Sequence, residues 1–565
     1  MKNIPIKSVL NKHIAIIFLI FLFVSMGVHF VNNSSSGVLG KDESLYIFLG
    51  KGHSDNTPID APIGSWLDAM KKGVQRTSDP PGIFLLLHLW EKISFSENWL
   101  RLLPYIFFAI SVITVIKTGF LIKLPPFFSI CLGFLPLASQ RMVLHALEIR
   151  AYGMEICLTY LMIYFALKLL ININEGVSSA RSDWTIFSLV MIAGLSSRFS
   201  FVISSAAMYG VMWLSIMLRM KFHYFKSNLI SVAISSIVSF LVFSIFLGIS
   251  QYLAPNNSLN TVSPDYDMFA RPATFMGVFL YFAKQILLIP LALFGGSDIR
   301  GTPCMYIVII LLLGIAYICL ISAYNFIKNN GITKIKKDLI LYFGVFLFPL
   351  LALLMSVALA VAGLHPFSIT SRVSIYLQTS FHLFIMGLAL LFTSRTGNNV
   401  EKGHVVLNKL YRVSFTFIVA VLVLIYGSLY LYYNTTFRMG GRQETIRVIS
   451  NAIRDNELKN IDYWYISLGE SNSFKYHVLY GGLKDKLSPK ARIVIENRSA
   501  GEVLCGELKK IYNEAEDKNK IVMVLGHVSK KEAEVYVEIF EKYFPNAKLG
   551  VYETTSSEQV LFAIR

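Results

Sequence analysis

The stretch "IAIIFLIFLFVSMGVHFV", Ile14 to Val31, decides the fold class of this chain. It holds no Asp, Glu, Lys or Arg, and at about 1.5 Å of helix per residue it approaches the thickness of a hydrocarbon core of about 30 Å. It is long for the apolar region of a secretory signal, and "NNSSSGVLGK" behind it lacks a small-x-small cleavage site, so the run is expected to remain as a first spanning helix. Comparable runs recur as far as Tyr432 and then stop. Spans are expected at roughly 14–31, 100–120, 124–140, 151–170, 184–198, 199–217, 229–250, 304–327, 339–362, 374–393 and 413–432, about eleven in all. Composition agrees: of 565 residues 54% are hydrophobic and 15% charged, and the mean hydropathy is +0.56.

The net charge of +17 reflects topology rather than nucleic-acid binding. With the N-terminus inside, the inner segments and helix ends collect Lys7, Lys12, Lys117, Lys123, Lys221 and Lys336, while the outer segments are nearly balanced. That asymmetry orients the chain, and an odd number of spans puts the C-terminal part outside. Counting "FMGVFLYFAKQILLIPLALF", 275–294, as a full crossing would expel the basic "KNNGITKIKKD" loop. It is therefore expected as a helix on or in the outer interface, in keeping with Lys284 and Gln285 at its middle. The five cysteines are scattered and show neither metal-ligand spacing nor a disulfide framework.

Two domains follow: a helical membrane domain over 1–436, with a long outer loop at 32–99, and a soluble domain over 437–565. In the second, "IDYWYISL", "ARIVIE", "KIVMVLGHV", "KLGVYET" and "VLFAIR" read as strands, and "KKEAEVYVEIFEKYF" reads as a helix. A small α/β layer domain is expected. It has neither a G-x-G-x-x-G nor a P-loop, and covering or extending the outer face of the membrane part is its simplest role.

The outer loop carries the chemistry-bearing residues. "GKDESLYIFLG", Gly40 to Gly50, places Leu45, Phe48 and Leu49 at helical spacing, and "GSWLDAMKKG" does the same with Trp66, Leu67 and Met70. Both are expected as helices lying flat on the bilayer. Asp42 and Glu43 stand at the start of the first, either as a cap with a favourable first-turn charge or as acids facing a cavity. In "RTSDPPGIFLLLHLW", Asp79 is a candidate cap and Pro80–Pro81 a rigid entry to an apolar helix. "SENWLRLLP" puts Arg101 at the outer end of the second span, either snorkelling to lipid phosphates or binding a substrate anion.

Between the third and fourth spans, "QRMVLHALEIRAYG" holds His145, Glu148 and Tyr152 at i, i+3, i+7, on one face of a continuous helix, with Arg150 to the side. Ionisable groups this near hydrocarbon suggest a site lined with water or substrate. His145 and Glu148 could hold a cation, but two ligands without a third make no metal site by themselves. Arg372 in "GLHPFSITSRVSIYLQ" opens the tenth span, where a guanidinium suits a phosphate as well as it suits snorkelling.

Taken in order, these pieces resemble the integral-membrane glycosyltransferases of the GT-C superfold, namely the bacterial relatives of protein O-mannosyltransferases and of the lipid A aminoarabinose transferase. The ordered features are the first span, the Asp42–Glu43 pair, "DPPGIFLLLHLW", "LRLLP", "IRAYG" and the arginine after "HPFSITS". Asp79 stands before the Pro-Pro where the family has a small or polar residue with a histidine ahead, and "SRVSIY" replaces the usual Arg-Tyr. The resemblance implies inverting transfer of one sugar from a polyprenyl-phosphate carrier to an unidentified lipid, glycan or protein acceptor, at the outer face of a bacterial plasma membrane. It implies Asp42 as general base with Glu43 beside it, and Arg101, Arg150 and Arg372 on the donor phosphate. Asp79, His88, His145, Glu148 and Tyr152 would orient substrate, and a divalent cation is compatible. The rival readings are a transporter, a polysaccharide polymerase or ligase, and a non-catalytic lipid- or partner-binding relative. A transporter would be expected to break its spans near mid-membrane and to repeat internally, and neither pattern is found.

Overall fold

A computed structural model describes residues 6–34, 41–54, 61–77, 79–175, 179–218, 225–253, 275–294, 343–362 and 374–394 of the apolar part. It also describes 463–480, 492–496, 521–526, 530–545, 549–553 and 559–564 beyond it, with a few single residues. The expected spans at 304–327 and 413–432, and Arg372, lie outside the described residues.

The helices of the apolar part are α1 (Ile6–Asn33), α2 (Lys41–Gly50), α3 (Trp66–Arg76), α4 (Gly82–Glu91), α5 (Glu97–Leu121), α6 (Pro126–Leu132), α7 (Leu135–Ala138), α8 (Gln140–His145), α9 (Tyr152–Glu175), α10 (Arg181–Ser197), α11 (Phe201–Met217), α12 (Phe225–Leu253), α13 (Phe275–Phe294), α14 (Phe348–Val361, entered through a π turn at Phe343–Leu347) and α15 (Ile375–Ser394). Among the described residues, five helical segments are long and apolar enough to cross a membrane: Ala15–Asn33, Glu97–Leu121, Tyr152–Glu175, Lys226–Leu253 and Gly344–Val361. Helix α12 turns Ile230, Ile234, Ile237, Phe240, Leu241 and Ile245 outward, a surface that suits lipid and not water. The chain is an integral membrane protein.

Three expectations are corrected. The span expected at 124–140 is broken into α6, α7 and the start of α8: Pro125 and Pro126 open α6, Gly133 ends it, and Pro136 in the first turn of α7 has no N–H to carry the helix on from α6. The continuous helix expected through "QRMVLHALEIRAYG" stops at His145, and α9 begins only at Tyr152. Helix α2 is not an interfacial helix with an apolar face turned outward: Tyr46, Ile47, Phe48 and Leu49 are all buried in protein, so it is a core helix. Helix α3, by contrast, exposes Trp66 and Leu67.

By its contacts the chain forms two compact units. One comprises Met1–Phe30, Val74–Ile83 and Pro104–Thr435, and the other Val31–Gly73, Phe84–Leu103 and Thr436–Arg565. In the first, α9 packs against α10, α11 and α15, and α11 against α14. A side chain at Gly153 would meet the Pro104 carbonyl at 2.9 Å, so only glycine lets α5 and α9 approach so closely.

The second unit contains a five-stranded sheet of β1 (Tyr463–Ser467), β2 (Arg492–Glu496), β3 (Ile521–Gly526), β4 (Leu549–Glu553) and β5 (Gln559–Ile564), in the order β2-β1-β3-β5-β4. Strand β1 pairs parallel with β2 and β3, while β5 pairs antiparallel with β3 and β4. Helix α16 (Leu468–Leu479) follows β1 directly and packs on both the sheet and α2; α17 (Lys530–Tyr543) precedes β4. Trp464 and Phe474 bring their rings to 5.7 Å beneath α16, both buried.

Candidate active site

In the second unit the acidic pair occupies the first turn of α2, where the helix dipole favours negative charge. Asp42 is inside the helix, not its cap. Glu43 is buried and accepts two hydrogen bonds from Arg101, from Nη1 at 2.6 Å and from Nη2 at 3.2 Å. Arg101 is itself fully buried, and its Nε donates to Glu97 one turn back at 2.8 Å. This bidentate geometry replaces the snorkelling arginine, and it supplies the hydrogen bonds that a buried guanidinium requires. Asp42 remains partly exposed.

The far end of α2 is held as tightly. His88, buried on α4, bonds through Nδ1 to the Gly50 carbonyl at 2.9 Å, so it satisfies one of the helix's terminal acceptors. Glu91 lies beside Gly50, and a Cβ there would sit 2.7 Å from Oε1 and 2.9 Å from Oε2. Burial holds the Glu91 carboxyl well above the usual carboxylate range, and Lys51 opposes that shift. Burial lowers the pKa of Lys51 in turn, with Glu91 opposing.

The first unit gathers a second cluster, at the start of α9. Glu148 joins His145, through Nδ1, to Arg150, whose Nη1 is 3.3 Å away. The Tyr152 ring is 4.6 Å from the His145 ring; the Arg150 and Arg198 guanidinium carbons lie 4.9 and 4.4 Å from its centroid. Arg198 donates from Nη1 to Glu155 Oε2 at 2.8 Å and lies 3.4 Å from Asp79 Oδ1. Ser200 also donates to Glu155, which has no exposed surface. Asp79, three residues before α4, is therefore an ion-pair partner of Arg198.

The residues read from sequence thus fall into two groups. Asp42, Glu43, His88 and Arg101 belong to the second unit, and Asp79, His145, Glu148, Arg150 and Tyr152 to the first. The broken backbone at 146–151 still brings His145, Glu148 and Tyr152 together. Among the described residues no group of three His, Cys, Asp or Glu side chains could hold a metal ion. Sequence reasoning missed Arg198 and Glu155. The signals were present: Arg198 is a charge in the short link between two apolar runs, and Glu155 is an acid inside an expected span, where a charge needs a partner.

No family model matches the chain, and no curated protein matches it. Among solved structures, similarity is found to the crystal structure of ArnT from Cupriavidus metallidurans bound to undecaprenyl phosphate, at 10% identity and a TM-score of 0.49. The alignment covers 96% of this chain and 97% of that one.

Proposed function

We propose that this protein is a membrane glycosyltransferase that moves one sugar from a polyprenyl-phosphate donor to an acceptor hydroxyl at the outer face of the membrane, with Asp42 as general base. The observation that carries this reading is the geometry at the start of α2: Arg101 binds Glu43 and fixes the first turn, and Asp42 in that turn is partly exposed. A base must be reachable by the proton it takes and fixed in direction, and the rigid turn supplies the second condition. Asp42 takes the acceptor's hydroxyl proton as that oxygen bonds to the anomeric carbon. The carbon–oxygen bond to phosphate breaks on the opposite side, its electron pair leaves with the polyprenyl phosphate, and the configuration inverts.

Fixed positive charge lowers the barrier to departure of that phosphate. Arg101, held by Glu43 and Glu97, is fully buried, so this role goes to Arg150, which is partly exposed, and to Arg372. His145, Glu148 and Tyr152 orient substrate, while Asp79 and His88 have structural partners in Arg198 and the Gly50 carbonyl. The orientation, with the N-terminus cytoplasmic and 437–565 outside, rests on the lysine and arginine asymmetry.

The test is transfer of radiolabelled sugar from a panel of polyprenyl-phosphate monosaccharides in membranes containing wild type or Asp42→Asn. Transfer by the wild type that falls at least about 100-fold in the variant is expected, the contribution of a positioned base. Equal transfer by both would remove Asp42 from the chemistry.

A further inference from the structure

Lys51, one residue beyond α2, has a setting that the proposed chemistry does not use. Its Nζ donates to the Tyr480 hydroxyl at 3.0 Å, and it lies 5.6 Å from the Phe48 ring, 5.3 Å from the Phe95 ring and 5.6 Å from the Tyr480 ring. Phe95 and Tyr480 are themselves stacked at 4.7 Å and 10°. The residue is 4% exposed, although lysine is among the side chains least often buried. An ammonium desolvated among three aromatic faces is held by their quadrupoles, and the contact is directional because the charge must lie over the rings.

Two neighbouring contacts run between the same stretches of chain. Tyr476 donates its hydroxyl hydrogen to the Phe95 carbonyl at 2.8 Å, and Lys475 donates to the Thr57 carbonyl at 3.1 Å. Residues 475–480, at the end of α16, therefore grip both the end of α2 and the turn leading into α5, from more than 360 positions away in sequence.

The consequence concerns Asp42. A helix of this length is stiff, with Asp42 about 14 Å from Lys51 along its axis. Arg101 holds the start of α2 through Glu43, and a second hold at the end sets both its height and its rotation. A methionine or leucine would fill the same volume, and apolar replacements of buried charges are often neutral for stability. What an apolar side chain cannot supply is a directional contact.

We propose that Lys51 is a positioning residue for Asp42: clamped by Phe48, Phe95 and Tyr480, it fixes α2 against residues 475–480, so that the C-terminal part of the chain sets the geometry of the base. The catalytic half of this inference rests on the glycosyltransferase reading; the clamp itself does not.

The experiment uses the full chain in nanodiscs as wild type, Lys51→Met and Lys51→Arg. Two readouts are taken: hydrogen exchange over 42–50 and 476–480, and transfer kinetics with radiolabelled polyprenyl-phosphate monosaccharides. In Lys51→Met, exchange is expected to rise in both segments together. The kcat should fall about tenfold to a hundredfold, the scale set by a displacement of about 1 Å in a reacting group, with KM for the donor unchanged. Lys51→Arg, which keeps a cation over the rings, should restore most of kcat and the slow exchange. Faster exchange in 42–50 without any change in 476–480, or unchanged exchange in both, would overturn the clamp. A wild-type kcat in Lys51→Met would overturn positioning. Absence of transfer by the wild type would count against the glycosyltransferase reading, and the exchange result would still decide the clamp.

Discussion

Removing the Glu43 carboxylate leaves the Arg101 guanidinium buried with the Glu97 carboxylate beside it, and an undercompensated buried charge is costly. Glu43→Ala is therefore expected to destabilise the protein by about 3–5 kcal/mol, read as a lowered melting temperature of the purified protein, whereas Asp42→Asn should melt like the wild type. The same logic applies at Arg198, which faces the fully buried Glu155. Arg198→Met should cost about 3–5 kcal/mol, and adding Glu155→Leu should recover most of it, a coupling that a double-mutant cycle measures. At this scale the sequence made the acidic pair legible, because two adjacent acids at the edge of an apolar run are conspicuous. It did not show that Glu43 pairs with Arg101, since Arg101 lies 58 positions away and only tertiary structure joins them. Arg198 was overlooked for the same reason: its partners Glu155 and Asp79 are 43 and 119 positions distant.

Among the elements, α2 is the one whose placement matters most, and two predictions test how it is seated. Gly50→Ala would push a methyl group against the Glu91 carboxyl beside it, where overpacking costs about 1–3 kcal/mol, again seen in the melting temperature. Helix α16, which packs on α2, carries His477, and burial pulls its pKa down to about 4, with Glu97 opposing. The folded state thus favours the neutral ring, so its contribution is complete above the unfolded value of 6.5 and disappears as pH falls through about 4. That amounts to about 3 kcal/mol, and burial also lowers the pKa of His53, which acts in the same direction. Melting temperature should fall between pH 6.5 and 4, and His477→Phe should flatten the profile. Most helices were readable from apolar length alone. The break over 126–145 was not, although its prolines stood in plain view, because hydropathy averages over a window and does not weigh a missing N–H. The burial of α2 was equally hidden, since a short run apolar on every side looks much like an interfacial helix until its covering is known.

For the molecule as a whole, composition and the recurrence of apolar runs were sufficient to identify a membrane protein. The strands of the sheet fall in the segments where alternation and β-branched residues marked them. What no linear reading could supply is the grouping of Val31–Gly73 and Phe84–Leu103 with Thr436–Arg565 in one compact unit, because that grouping is made by contacts such as Lys51 to Tyr480. The proposed chemistry depends on it, since α2 and its acid belong to that unit. The most direct test of the central claim is single-turnover transfer of radiolabelled sugar from a polyprenyl-phosphate donor by purified wild type and Asp42→Asn, compared at matched melting temperatures. The account predicts a rate at least about 100-fold lower in the variant with stability unchanged. Equal rates in two equally stable proteins would contradict it.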